Sequence, residues 1–356
     1  MAKHRKLHFY TLLGLIPLVL FFIGLVGLSS YVALQYRADI DMHIKGDWPI
    51  EGDSLIGFVT AKQALTTRIH TKKDLTFNVF TDARGIRVNA DSKQTPDKVN
   101  ILTIGGSFSW GYGMENEETY TEILRHKLNV SVANLSFGSY GTVQSLQLLQ
   151  RNSDLQPKII VYGFINDHLR RNLSPCAPSL APFCLPVAYI DFGANGTPYI
   201  HGPRMEYSSE AGRRSFEIIT SGEFGVKNVL WGAKAIFSNL KNRFVFNYAD
   251  SKELRQEGML YLMSKMTLEA KRLGALLVVV YIPELERVYT SPPPSELIDA
   301  LNPDILFIDM SRTVTRYYED ERNPSLRFER DSHPNHLAHE LIADEILNAL
   351  ENRAVY

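Results

Sequence analysis

The 356 residues contain only two cysteines, and neither sits beside a histidine or acidic grouping with metal-ligand spacing, so no zinc-type centre is indicated. Charge of one sign is also missing. The formal net charge is -1, and apart from the extreme N-terminus there is no Lys/Arg-rich tail, which leaves no field to draw in nucleic acid. There is no GxxxxGK[ST] phosphate loop and no G-x-S-x-G elbow. The glycine-rich stretch GGSFSWGYG lacks the G-x-G-x-x-G spacing and the following acidic residue of a nucleotide-binding unit. Internal repeats and low-complexity tracts are absent as well. What remains is an ordinary globular composition, 45% hydrophobic and 22% charged, long enough for one large α/β domain with accessories.

One long apolar run is present. Lys3, Arg5 and Lys6 precede an uncharged stretch over 10–34, and about 20 helical residues cross a bilayer core. Positive residues before the run, with only Arg37 soon after, orient the N-terminus (1–9) to the cytoplasm and the remainder outside. A cleaved signal peptide needs a shorter core and a small-x-small site, which this run does not offer. A buried core helix would carry a polar face. In an exported chain Cys176 and Cys184, within SPCAPSLAPFC, are expected to close a short disulfide loop, the alternative being two unpaired thiols.

Residues 35–97 are mixed and polar and read as a stalk with a small subdomain leading into the core. From residue 98 onward apolar runs alternate with helical patterns: VNILTIGG, VSVANLSF, PKIIVYGFIND, GALLVVVYIP and DILFIDMS read as strands. Between them lie helix patterns such as GTVQSLQLLQRN and a closing HPNHLAHELIADEILNALENR. That rhythm implies a parallel, doubly wound α/β sheet. The interval over about 173–250 breaks it, is rich in Pro, Gly and aromatic residues, and reads as an insertion covering one face of the sheet.

Open α/β sheets bind ligands beyond the carboxyl ends of their strands. After the first core strand Ser107 stands on a glycine turn opening a helix, where its hydroxyl is exposed and its N–H can face an oxyanion; the plainer reading is a helix cap. After the second strand Gly138, Ser139 and Gly141 allow close approach to a ligand, or simply make a turn. After the third, Asn166 offers an amide donor, or an Asx turn. Asp331-Ser332-His333-Pro334-Asn335 precedes the last helix, and a carboxylate-oriented histidine can take a proton from a serine; the plainer reading is a surface histidine with Asn335 capping the helix. His168, Arg170 and Arg171 are candidates for contact with an anionic or sugar substrate, against a solvated helix start.

In chain order, Ser107, Gly138–Ser139, Asn166 and D-x-H-P-N resemble the four blocks of the SGNH/GDSL hydrolase superfamily over roughly residues 98–350. The resemblance implies a flavodoxin-like three-layer α/β/α sandwich and an acyl ester hydrolase or acyltransferase needing no cofactor and no metal. It implies Ser107 as nucleophile, His333 as base, Asp331 as its orienting partner, and Asn166 with backbone amides of Ser107 and the Gly138–Ser139 turn as oxyanion hole. Three departures stand out: Gly106 replaces the family's Asp, Ser139 rather than Gly138 falls at the oxyanion glycine in an ungapped reading, and Asp331 lies two residues before His333, where a backbone carbonyl is the alternative partner. Location and resemblance together point to acetyl or other acyl esters of an extracytoplasmic polysaccharide or glycoconjugate, with hydrolysis and transfer both open. The rival from another class is a non-catalytic, membrane-tethered scaffold or glycan-binding protein on the same fold.

Overall fold

Short runs of β-branched and aromatic residues make the centre of the protein. In this computed structural model the described residues are 2–39, 42–70, 72–92, 94–177, 184–220, 224–245, 250–287 and 290–353. A nine-stranded sheet is built from β1 (His43–Gly46), β2 (Leu65–His70), β3 (Leu75–Thr81), β4 (Arg87–Val88), β5 (Ile101–Gly105), β6 (Val132–Asn134), β7 (Ile159–Phe164), β8 (Leu276–Tyr281) and β9 (Leu306–Asp309). Its order is β1-β2-β3-β4-β6-β5-β7-β8-β9. The last five strands are mutually parallel. Their order, second-first-third-fourth-fifth, is the flavodoxin-like one, with the switch point between β5 and β7.

The helices are α1 (Ala2–Asp39), α2 (Ser107–Trp110), α3 (Tyr120–Leu128), α4 (Thr142–Arg151), α5 (Asp167–Leu173), α6 (Ser209–Thr220), α7 (Val226–Val245), α8 (Lys252–Leu273), α9 (Ser295–Ile298), α10 (Met310–Tyr318) and α11 (His336–Asn352). Alternation along the parallel strands sends side chains to two cores. Leu102, Ile104, Ile160, Leu277 and Val279 pack with Leu146 and Leu149 of α4 and Met259 and Leu262 of α8. Ile101, Ile159, Val161, Val278 and Val280 pack with Leu124 of α3 and Ile342 and Ile346 of α11. A parallel strand is therefore apolar on both faces, which is why these runs stand out in the sequence. Each buried aliphatic chain contributes roughly 1.5–3 kcal/mol relative to exposure, so the two cores hold the layers together.

The polar interval 35–97 is more than a stalk. β1 to β4 pair antiparallel and extend the parallel sheet, joining it where Arg87 lies opposite Asn134. The reason it read as polar is visible in β2. Its buried residues are Thr66, Arg68 and His70, whereas Leu65 is exposed. The Arg68 guanidinium is stacked 4.7 Å from the Trp110 ring, which makes its burial tolerable.

The interval 173–250 also divides. A hairpin of Tyr189–Phe192 with Pro198–His201 belongs with the sheet, where Ile190 joins the same core as Leu173 and Met259. Cys176 and Cys184 are both disulfide-bonded. The described residues separate into two compact units: α7 and nearly all of α6 group with α1, and the hairpin belongs to the unit that holds the sheet. The interval over about 173–250 is thus divided between the two units. In the smaller unit Ala33 of α1 shares a cluster with Ile219 of α6 and Trp231 and Ala235 of α7. α1 is continuous from Ala2, so residues 2–9 are helical with the run that follows. Its Leu15–Ala38 stretch is long and apolar enough to cross a membrane.

Candidate active site

The first strand of the parallel core ends in two glycines for a steric reason. At Gly105, φ is +151°, and a Cβ there would lie 2.6 Å from Ser109 Oγ and 2.7 Å from Gly163 O. At Gly106 a Cβ would come within 2.9 Å of His168 Nε2 and 3.4 Å of Arg171 Nη1 and Tyr140 O. A side chain at Gly106 would have to displace His168, while Arg171 and Tyr140 stand at ordinary contact distance. Gly106 also marks where three strand-end loops converge: its own after β5, Tyr140 after β6, and His168 with Arg171 after β7. Phe137 N–H donates to Gly105 O at 3.2 Å and ties the second loop to the first.

Ser107 opens α2 and is largely buried. Its Oγ lies 2.9 Å from His333 Nε2, although the two residues are 226 apart in sequence. On the far side of the ring Nδ1 is hydrogen-bonded to Asp331 Oδ1, and the same oxygen accepts the His333 backbone N–H at 2.8 Å. A two-residue spacing thus allows one carboxylate oxygen to hold both ring and backbone of its neighbour. The loop is pinned at its base, where Phe328 N–H donates to His333 O at 3.2 Å and Arg327 bridges Pro334. Asn335 caps α11 by accepting from Ala338 N–H at 3.2 Å. The capping role weighed against function for Asn335 is therefore real, and it coexists with the His333 contact to Ser107.

Asp331 Oδ2 is paired with Lys73 Nζ, from the turn between β2 and β3. Burial alone would raise the Asp331 carboxyl. The hydrogen bond and charge of His333, the Lys73 ammonium and the His333 N–H together outweigh it and hold the group well below the usual carboxylate range. Tyr112 covers the imidazole at a centroid distance of 4.3 Å, and its hydroxyl is 3.0 Å from His70 Nε2. Phe108 meets the ring edge-on at 5.4 Å. Arg87 of β4 donates to Trp110 O at 2.7 Å and Gly111 O at 2.9 Å, and also to Met114 O, bracing the segment that carries Ser107 and Tyr112.

The antiparallel extension therefore supplies Lys73, His70 and Arg87, none of which stood out in the sequence. The available signal was the alternation Leu75, Phe77, Val79, which marks a strand and places the preceding TKKD in a turn.

The remaining expected residues are distributed as follows. Gly138 and Ser139 form a turn closed by Tyr140 N–H to Phe137 O at 3.4 Å, and Ser139 carries the left-handed backbone at φ +68°. Asn166 precedes α5 and donates from its amide to Ser291 Oγ at 3.3 Å; the same side chain is hydrogen-bonded to the Tyr281 hydroxyl, and its Oδ1 is buried without a hydrogen-bond partner among the described residues. Neither reading of His168 holds: it is fully buried, with Nδ1 2.9 Å from Tyr162 OH, and burial, then Arg171, keeps it neutral by pulling its titration well below the ordinary value. Arg171 donates to Tyr140 O at 3.1 Å and to Asp167 at 2.9 Å, and only Arg170 is exposed.

No family model and no curated protein matches the sequence. Solved structures resemble it distantly. "Crystal Structure of TesA" is 12% identical and covers 71% of this chain and 98% of its own, with a TM-score of 0.33. A lipolytic protein of the G-D-S-L family from Desulfitobacterium hafniense is 11% identical, with 72% and 100% covered and a TM-score of 0.37. A family two carbohydrate esterase from Clostridium thermocellum, in complex with cellohexaose, is 10% identical, with 88% of each chain covered and a TM-score of 0.38. At such distances the case for function rests on the residues themselves.

Proposed function

We propose that this chain is a serine-dependent carboxylic ester hydrolase or O-acyltransferase, with Ser107 as nucleophile, His333 as general base and Asp331 as the group that orients the imidazole. One observation carries the reading: an unbroken series from Ser107 Oγ through His333 to the Asp331 carboxylate, assembled from opposite ends of the domain. In the first step the Ser107 hydroxyl passes its proton to His333 Nε2 as Oγ bonds to the ester carbonyl carbon. The Asp331 carboxylate, kept ionised, stabilises the imidazolium that results. Backbone amides of Ser107 and the Gly138–Ser139 turn, with the Asn166 amide, are the donors for the oxyanion; losing one such donor typically costs about 10²–10³ in rate. The imidazolium then protonates the leaving alcohol oxygen. The acyl-enzyme is discharged when His333 takes a proton from water or from a sugar hydroxyl as that oxygen bonds to the acyl carbon, and then returns the proton to Ser107 Oγ as the bond to the acyl group breaks.

In this reading α1 anchors the chain, with residues 1–9 in the cytoplasm and the domain from 98 outside. The basic residues before the run and the disulfide at Cys176 and Cys184 favour that side. The substrate class that suits this place is an acyl ester, acetyl foremost, of a polysaccharide or glycoconjugate. The test uses full-length protein in detergent. It is expected to release p-nitrophenol from the acetate ester and to gain one fluorophosphonate adduct at Ser107. Ser107→Ala should lose both, with release falling by 10³-fold or more as for other serine nucleophiles, roughly. Absence of an adduct on the native protein would sink the proposal and leave a non-catalytic, tethered binding protein.

A further inference from the structure

Along α7, Val226, Leu230, Ala233 and Phe237 recur at spacings of four, three and four. At about 100° per residue they fall within a sector of about 60°, a single stripe. The stripe is uncovered: Val226 is 75% exposed, Leu230 64% and Phe237 61%. The opposite face carries Asn228, Trp231, Gly232 and Ala235, all buried. That face meets the end of α1. A Cβ at Gly232 would lie 1.9 Å from Ser29 O, so only glycine permits this approach. The rings of Tyr36 and Trp231 meet edge-on at 5.5 Å, and Ala33 and Ala235 share the cluster between them. Small residues at a close crossing are the usual way helices associate within lipid, where backbone proximity and packing replace the hydrophobic effect. Trp231 Nε1 donates to Ser215 Oγ at 2.7 Å, and Asn228 donates to Ile218 O at 2.7 Å, so the polar groups of that face are bonded within the protein.

Ser29, Ala33 and Tyr36 belong to the apolar stretch Leu15–Ala38, near the end where the chain leaves it. Many of the large apolar side chains of that stretch, Leu18, Phe21, Phe22 and Ile23 among them, are exposed. The α7 stripe is thus joined, through a packed contact, to a surface already suited to hydrocarbon. Exposed Lys227 flanks the stripe at about 100° from its first residue, where a lysine stem can run along apolar surface while its ammonium reaches headgroups.

We propose that the Val226–Leu230–Phe237 stripe lies in lipid, in the bilayer that α1 spans and at the face where α1 ends, so that the anchor consists of two helices. The proposal rests on the reading of α1 as a membrane span. The test uses the full chain with Leu230→Cys or Phe237→Cys, the native disulfide left oxidised, each labelled with an environment-sensitive fluorophore. The labelled protein is reconstituted into vesicles of phosphatidylcholine with a minority of phosphatidylglycerol, with and without bromine on the acyl chains. Resistance to a carbonate wash reports α1 separately. The expected result is carbonate resistance with quenching at both positions several-fold stronger from brominated chains than from aqueous iodide. Stronger quenching by iodide would place the stripe in water. Weak quenching by both, with blue-shifted emission, would mean that a second copy or another protein covers it. Either outcome in carbonate-resistant protein overturns the proposal and leaves α1 as a span; loss of the protein in the wash overturns both.

Discussion

Replacing Lys73 by methionine tests whether the antiparallel extension helps to keep Asp331 ionised. Lys73 reaches one oxygen of Asp331 while His333 holds the other. After the His333 hydrogen bond and charge, the Lys73 ammonium is a further group that holds the Asp331 carboxyl down against its burial, so in Lys73→Met that carboxyl rises toward its ordinary range. The Lys73 side chain is 35% exposed and that of Asp331 3%, so solvent screens part of the pairing, which is expected to contribute about 1 kcal/mol. A depressed carboxyl stabilises the fold above the unfolded carboxylate value and loses that contribution as pH falls. Lys73→Met should therefore be less stable by about 1 kcal/mol at neutral pH, with the gap to the native protein closing in acid. Lys73→Arg should keep the native curve. Urea unfolding across the pH range measures all three proteins. Equal stability at neutral pH, or a gap that persists unchanged in acid, would refute the reasoning.

Asp331→Asn should lower kcat by about 10³–10⁴-fold with KM nearly unchanged, since an amide holds the wrong tautomer of His333; steady-state kinetics on a soluble ester decide it. Because the Asp331 carboxyl is depressed in the fold, its contribution to stability is complete above the unfolded carboxylate value and is lost as pH falls below it, so the acid branch of a denaturation-against-pH curve should flatten in the same variant. His339 is fully buried, accepts Tyr120 N–H at 3.0 Å and is pushed down to about 3 by burial, then by Arg87. The unfolded chain therefore binds a proton between about pH 6.5 and pH 3 that the fold does not, and stability falls with pH there by about 1.4 kcal/mol per unit for this group. His339→Asn retains an acceptor at the Nδ1 position and should reduce that slope, as read by urea unfolding across the range. Ser139→Val should cost about 1–2 kcal/mol more than Ser139→Gly, because a β-branched residue resists the left-handed backbone, and chemical denaturation compares the two.

The parallel strands and the residues at their carboxyl ends were legible in the sequence for a shared reason. A strand buried on both faces is written as a contiguous apolar run, and the loop after it must carry whatever chemistry the sheet displays. Ile101–Gly105 followed by Ser107, and Ile159–Phe164 followed by Asn166, are local statements that composition and order disclose. The glycine at 106 was visible too, but its neighbours were not, since His168 and Arg171 reach it from another strand end. The antiparallel extension was hidden because β2 buries Thr66, Arg68 and His70, and the partners of Arg68 and His70, the Trp110 ring and the Tyr112 hydroxyl, lie far along the chain.

What the sequence by itself determined is the type and order of the reactive groups, the parallel core and the apolar N-terminal run, because each depends on residues close together in the chain. Only the tertiary structure decided that Asp331, not a backbone carbonyl, meets His333 Nδ1, that Lys73 meets Asp331 in turn, and that α6 and α7 pack with the N-terminal helix. Those choices depend on which surfaces meet across long separations, and hydrogen-bond geometry and packing select among partners that residue order alone leaves equivalent.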